Sequence, residues 1–135
     1  MRLAGRVFKY GKHWAIEVPI LGVVTQGRTR KEALEMIADA ITSLANDRKL
    51  VVDVHPGKGE AFTVGAKNSA ALAAFLVRRV REKEGLSLAA VAKRLGASSR
   101  NAYARYERGT SVPSLKKFAE LIEAVTGKDF VLSEA

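Results

Sequence analysis

The hydrophobic pattern changes its period once, near residue 66, and that change bounds what this chain can fold into. Before it, apolar residues alternate or run in short segments rich in Val, Ile and aromatics, broken by Gly and Pro. After it, they recur every three or four residues. Alternation sends successive side chains to opposite faces of a strand, and a three-four spacing draws one stripe along a helix. The expectation is α+β with the two kinds of structure segregated: a sheet-rich domain over residues 1–66 and an all-α bundle over 67–135.

In the first segment "RVFKY", "HWAIEV" and "VVTQG" read as strands, with "GKH" (11–13) as a tight turn. "TRKEALEMIADAITSLA" reads as a helix. Thr29 and Glu32 have the spacing of a capping box, and Leu34, Ile37, Ala38, Ile41 and Leu44 make its apolar stripe. "LVVDV" (50–54) and "AFTV" (61–64), flanking the loop "HPGKGE", complete a β-β-β-α-β-β order. One helix covers one face of a sheet and leaves the other to solvent or a partner. Trp14, the sole tryptophan, alternates with Ile16 and Val18 and is expected to face the core.

Four helices are expected in the second segment. The first spans 69–84, capped by Asn68 or Ser69, with Leu72, Phe75, Leu76 and Val80 inward. The second opens at Ser87, buries Leu88, Val91, Ala92 and Leu95, and stops at Gly96. The third lies in "GASSRNAYARYERG" (96–109), capped by Ser98 or Ser99. The fourth follows Pro113, with Leu115, Phe118, Ala119, Ile122 and Val125 in register, and ends at Gly127. "DFVLS" (129–133) regains strand character and is a candidate for pairing across a dimer axis.

Charge narrows the function. The chain carries 23 Lys and Arg against 14 Asp and Glu, a formal net charge of +9. Such an excess draws a protein to polyanions, nucleic acid above all, and most of it lies in residues 67–135. The chain has no cysteine, hence no disulfide framework and no thiolate metal site. No apolar run approaches the ~20 residues of a membrane span, and the N-terminus lacks a signal-peptide core, so a soluble cytoplasmic protein is expected. His13 and His55 read as surface residues, since no third His or Cys exists to complete a zinc site. Glu17 and Asp53 on strands and Asp39 on the helix raise the question of a metal-dependent nuclease; exposed strand and helix charges are the simpler account. "PGKG" is too short for a phosphate-binding loop, and no Ser-His-Asp arrangement is visible. No catalytic, metal or cofactor site is expected.

Two short helices joined by a Gly-containing turn make a helix-turn-helix, and "SLAAVAKRLGASSRNAYARYERG" has that arrangement. Tyr103 and Tyr106, three apart, share a face and are expected to pack on Leu88, Val91 and Leu95 rather than stack on bases. Ser99, Arg100, Asn101 and Arg105 are left to point outward. Arg bonds guanine bidentately and Asn does the same to adenine, each good pair being worth ~1–3 kcal/mol of discrimination. Ser87 and Lys93 complete the candidate DNA-binding set, basic side chains meeting phosphates and making binding salt-dependent. The basic residues Arg78, Arg79, Arg81 and Lys83 of the preceding helix suit solvent equally well.

These residues resemble a known family. "LSLAAVAKRLGASSRNAYARYERGTSVPSLKKFAELI" is similar to the Cro/XRE type of repressor domain: Leu-Ser before the second helix, "AKRLG" at its end, "R-aromatic-ERG" closing the recognition helix and "PSL" opening the next. It departs at Leu88, where that family often has a phosphate-contacting Gln, and at "GASS", one residue longer than usual. The resemblance implies that Glu107 is structural and pairs with an arginine of the bundle. The N-terminal segment "HWAIEVPILGVVTQGRTRKEALEMIADAI", with "LVVDVHP" and "EAFTVGAKNSAAL", resembles the HicB antitoxins, most of all in the run P-x-LG-x-VTQG-x-T-x-x-EAL. That resemblance implies a partial RNase H-like, non-catalytic fold that binds and masks a HicA-type ribonuclease toxin, with an appended DNA-binding domain that represses the operon. The toxin-facing residues are not identified by it. Domains of about 65 residues bury only ~60% of their unfolded surface, so partners or a homodimer, or a higher oligomer, are expected to add stability. The alternatives are a stand-alone helix-turn-helix regulator with a sensor domain, and the nuclease built on Glu17, Asp39 and Asp53.

Overall fold

A computed structural model describes residues 1–96 and 99–134. The chain divides into two compact units, Met1–Leu72 and Ala73–Ala135.

In the first unit β1 (Arg2–Tyr10), β2 (His13–Val18), β3 (Val23–Gly27), β4 (Val52–Pro56) and β5 (Ala61–Ala66) form one five-stranded sheet in the order β3-β2-β1-β5-β4, with every pairing antiparallel. β1 begins four residues before the segment its sequence suggests. Its two halves have different partners: Arg6–Tyr10 pairs with β2 across a two-residue turn, and Arg2–Arg6 pairs with β5. The second pairing reaches residues 61–65, so nothing local announces it. β4 is displaced the other way, starting at Val52 and taking in His55 and Pro56, which the sequence places in the loop. The hairpin loop is closed by Gly57 N–H donating to the Ala61 carbonyl at 2.8 Å.

Alternation is obeyed throughout. Leu3, Val7, Ile16, Val18, Phe62 and Val64 are buried on one face, where α1 (Arg30–Ala45) lies. Arg2, Arg6, Glu17, Asp53 and Thr63 take the opposite face, linked by Arg2–Asp53, Arg2–Thr63 and Arg6–Glu17 contacts. Trp14 shares the helix-side face with Ile16 and Val18 but sits at its margin, half-buried, opposite Gly27.

α1 starts at Thr29, whose hydroxyl accepts from Glu32 N–H at 3.0 Å. The return bond of the expected capping box, from Thr29 N–H to the Glu32 carboxylate, is not formed among the described residues. The stripe is also rotated from its expected position. Ala33, Ile37, Ile41 and Ala45 are the buried residues, while Leu34 is half-buried and Leu44 is exposed. The first turn of α1 meets the end of β3 closely: a Cβ on Gly27 would lie 2.4 Å from the Ala33 nitrogen, so only glycine fits at position 27.

In the second unit the helices are α2 (Ser69–Lys83, which begins before the division between the units), α3 (Leu88–Arg94), α4 (Arg100–Arg108) and α5 (Leu115–Thr126). Asn68 caps α2, its Oδ1 accepting from Ala71 N–H at 3.0 Å, and Leu72, Phe75, Leu76 and Val80 are buried as their spacing predicts. α5 buries Phe118, Leu121, Ile122 and Val125, but Leu115, at the first turn, is exposed. "DFVLS" forms no strand within the protomer. A strand needs a neighbour's backbone, and the contacts of this segment are with side chains among the described residues: the Phe130 ring lies edge-on to Phe118 at 5.5 Å, and Phe130 N–H donates to Glu123 Oε1 at 3.5 Å.

Candidate nucleic-acid interface

α3 and α4 are short helices with a cap at each start. Ser87 Oγ accepts from Ala90 N–H at 3.1 Å, and Ser99 Oγ from Ala102 N–H at 3.4 Å. Such caps use hydroxyl lone pairs and leave the hydroxyl hydrogen free to donate. After α3 the chain turns at Gly96 with φ +67°, a conformation that costs other residues more. Ser98, the alternative cap, and the middle of the "GASS" turn lie outside the described residues.

The inner face of α4 is set by Tyr103, which is 1% exposed, and Ala104; α3 contributes Val91 and Ala92. Tyr106, Leu88 and Leu95 are only half-buried. The two tyrosines are therefore not equivalent: Tyr103 is core, and Tyr106 sits at the rim.

What ties α4 to α2 is an ion pair. Arg81 Nε and Nη2 donate to the two oxygens of Glu107 at 2.7 and 2.9 Å, and Arg81 Nη1 donates to the Leu86 carbonyl at 2.9 Å. Both side chains are largely out of water, Arg81 at 16% and Glu107 at 7% exposure. The hydrogen bonds it donates to Glu107 hold the Arg81 guanidinium above its ordinary pKa, against the opposing cost of burial. Glu107 is thus structural and pairs with a bundle arginine, as the Cro/XRE resemblance implies. The Tyr103 hydroxyl is buried near this pair, and no group among the described residues meets hydrogen-bonding geometry with it. Burial first, and the Glu107 carboxylate next, push its phenol far above the usual range. Arg94, which the sequence leaves without a role, donates to the Ala124 and Val125 carbonyls and so ties the end of α5 to α3; these are end-of-helix carbonyls, where a cation is favoured.

The outer face of α4 is different in kind. Ser99, Arg100, Asn101 and Arg105 are all exposed. A shallow concavity is lined by Ser99, Asn101, Ala102, Arg105 and Arg108. Asn101, Arg105 and Arg108 stand four and then three residues apart, which puts them on one helical stripe. Arg108 belongs to this surface although its position in "ERG" suggests only a helix end; the spacing from Asn101 was the available signal. Arg100, Ser87 and Lys93 are exposed but lie outside the lining of the concavity.

Ion pairing decides where the excess charge is free to act. Arg81 is used by Glu107, Arg78 and Arg79 by Glu82, and Lys117 by Glu120. Among the described residues no ion pair engages Lys93, Arg100, Arg105 or Arg108, so the end of α3 and the outer face of α4 form an uncompensated basic surface. It carries three guanidinium groups, one ammonium and one amide, the groups that bond base edges and phosphates.

The carboxylates of the sheet unit are arranged otherwise. Asp53 is held by Arg2 and approaches His55 Nε2 at 3.3 Å, Glu17 lies 3.9 Å from Arg6, and Asp39 is exposed on α1. Glu17, Asp39 and Asp53 do not come together, and among the described residues no three His, Asp or Glu side chains are grouped to hold a metal ion. The sheet places Glu17 and Asp53 beside Arg6 and Arg2 on its face opposite α1, the helix that carries Asp39. No helix of the described residues is long and apolar enough to cross a membrane.

The helix-turn-helix family model matches residues 77–125, a little over a third of the chain. These residues, from within α2 to the end of α5, are a Cro/XRE-type helix-turn-helix domain, of the class that binds DNA and regulates transcription. Comparison with curated proteins finds no match.

Proposed function

We propose that this protein is a HicB-type antitoxin: the sheet unit binds and masks a HicA-type ribonuclease toxin, and the helix-turn-helix domain represses the operon by binding its operator. The observation that carries this is where the antitoxin-like run falls. P-x-LG-x-VTQG-x-T-x-x-EAL occupies the 3-10 turn Pro19–Leu21, β3 and the first turns of α1, and its second glycine is the residue that lets β3 and α1 meet. The motif thus coincides with the packing joint of a one-helix sheet, linked in one chain to a DNA-binding domain. Masking is steric, so the proposed function involves no reaction and no cofactor.

On DNA, Asn101 and Arg105 read base edges; Ser99, Arg100, Ser87 and Lys93 hold the backbone. The test is co-expression of the full chain with the product of the neighbouring reading frame. A small protein that co-purifies stoichiometrically, and whose ribonuclease activity is suppressed in the complex, supports the antitoxin. A chain that binds its own promoter but captures no such partner would show a stand-alone regulator instead.

A further inference from the structure

The sheet unit carries a concavity of about 400 Å³ lined by Tyr10, Gly11, Lys12, His13, Ala15 and Gln26. Strand register explains it. Tyr10 pairs with His13, and Ala15 pairs with Phe8 on one side and Gln26 on the other. Alternation puts these five side chains on the face opposite α1. Ala15 lies on the middle one of the three strands, and its small side chain leaves a gap between β1 and Gln26. The volume falls within the ~300–1,000 Å³ of small-ligand sites. The two rings of β1 differ here. The Arg6 guanidinium lies over the Phe8 ring, 4.3 Å from its centroid, whereas Tyr10 is 74% exposed. The charge around the concavity has one sign. Lys9 pairs with Trp14 and Trp14 with Gly27, so segments 9–15 and 25–31 converge on this end of the sheet. They hold Lys9, Lys12, Arg28, Arg30 and Lys31 and no carboxylate. Among the described residues no ion pair engages any of the five.

We infer that this end of the sheet binds single-stranded RNA. Three kinds of group meet there, and one ligand uses all three. The Tyr10 ring is a platform on which an unpaired base stacks. The Gln26 amide offers that base's edge both a donor and an acceptor. Lys12 and the cations beside it meet the phosphates. Duplex DNA is a poor occupant, because its bases are stacked on one another and do not reach the ring. An acidic protein would use the cations and leave the ring and the amide idle. RNA is chosen over single-stranded DNA by its 2′-hydroxyl, donor and acceptor at once, for which Gln26 and His13 are polar partners. The inference goes beyond the antitoxin reading, since it requires neither the toxin nor the operator. It gives the chain two nucleic-acid surfaces of different chemistry: the α3–α4 surface for duplex grooves, and the sheet end for an unpaired strand.

The test titrates a fluorescent, unstructured RNA of about 12 nucleotides with the full-length chain and follows anisotropy. Excess unlabelled duplex DNA is present to occupy the helix-turn-helix. Tyr10→Ala should weaken RNA binding at least ~fivefold, the low end of the loss of one stacked base. Tyr10→Phe keeps the ring and should bind within about twofold of wild type. Gln26→Glu, nearly the same size, should weaken binding as well and covers the case of a misfolded Tyr10→Ala. Lys12→Ala should lower the slope of log K against log salt by about 0.7. Arg105→Ala, on the other surface, should change none of this. Single-stranded DNA of the same sequence should bind more weakly. A wild-type chain that does not bind the RNA at low salt would overturn the inference. So would binding that survives both Tyr10→Ala and Gln26→Glu, that Arg105→Ala removes, that duplex DNA displaces, or that single-stranded DNA equals.

Discussion

Removing the Glu107 carboxylate should cost the helical unit a large share of its stability. In Glu107→Ala, two charge-assisted hydrogen bonds at 2.7 and 2.9 Å disappear, and the Arg81 guanidinium keeps its charge in a site only 16% exposed. Breaking one side of a buried ion pair typically costs ~3–5 kcal/mol, because the other charge is left uncompensated. Here the lower end, ~3 kcal/mol, is appropriate. Water reaches Arg81 at its residual exposure, and its bond to the Leu86 carbonyl remains. Natural stability is about 0.05–0.15 kcal/mol per residue, so a unit of this size loses a third or more of its total. At roughly 4–8 °C per kcal/mol for small domains, its melting temperature should fall by more than ~10 °C. Thermal and urea unfolding followed at 222 nm would measure this. Arg81→Met with Glu107→Leu removes both charges and should recover most of the loss, since a buried pair exchanged for apolar groups is often near neutral. A loss under ~1 kcal/mol for Glu107→Ala, the value of a surface pair, would refute the role given to this contact. So would a double variant no better than the single.

The remaining expectations concern DNA, pH and the joint between sheet and helix. Arg105→Ala should weaken operator binding by ~1–3 kcal/mol if it reads a base. Arg108→Ala, if it meets a phosphate, should lower the slope of log K against log salt by about 0.9, both measured by anisotropy titration and neither altering the unfolding curve. Tyr103→Phe removes a buried hydroxyl that bonds to nothing among the described residues, so its urea midpoint should match or exceed that of wild type; a loss above ~2 kcal/mol would mean the hydroxyl is bonded after all. Because the Tyr103 phenol is raised in the folded state, the stability tied to its neutral form is complete below pH ~10, the unfolded value. It is lost progressively above that as the unfolded chain releases the proton first, so wild type should lose stability more steeply than Tyr103→Phe in that range. Gly27→Ala should destabilise the sheet unit by ~1–3 kcal/mol through overpacking against Ala33, read by Trp14 fluorescence, since Trp14 is the cross-strand neighbour of Gly27.

Sequence alone determined the elements of this protein. Strand and helix periods, the caps Thr29 and Ser87, and the stop at Gly96 are all local, and local rules are enough to place them within a few residues; for the other two caps the sequence offers Asn68 or Ser69 and Ser98 or Ser99, and the structure shows Asn68 and Ser99 capping. Sequence also determined the outward set on α4, because helical spacing fixes which side chains oppose Tyr103. Tertiary structure decided whatever depends on residues far apart in the chain. Only there does β1 become the central strand, extended to Arg2 by pairing with a β5 some sixty residues away. Only there does the side of α1 carrying Ala33, Ile37, Ile41 and Ala45 face inward in place of Leu34 and Leu44. The choice of Arg81, among the three arginines of α2, as the partner of Glu107 was open until the helices were packed. Which cations of α2 to α4 are taken up in ion pairs was equally a tertiary matter: charge is counted along the chain, but ion pairs such as Arg81–Glu107 are made across space.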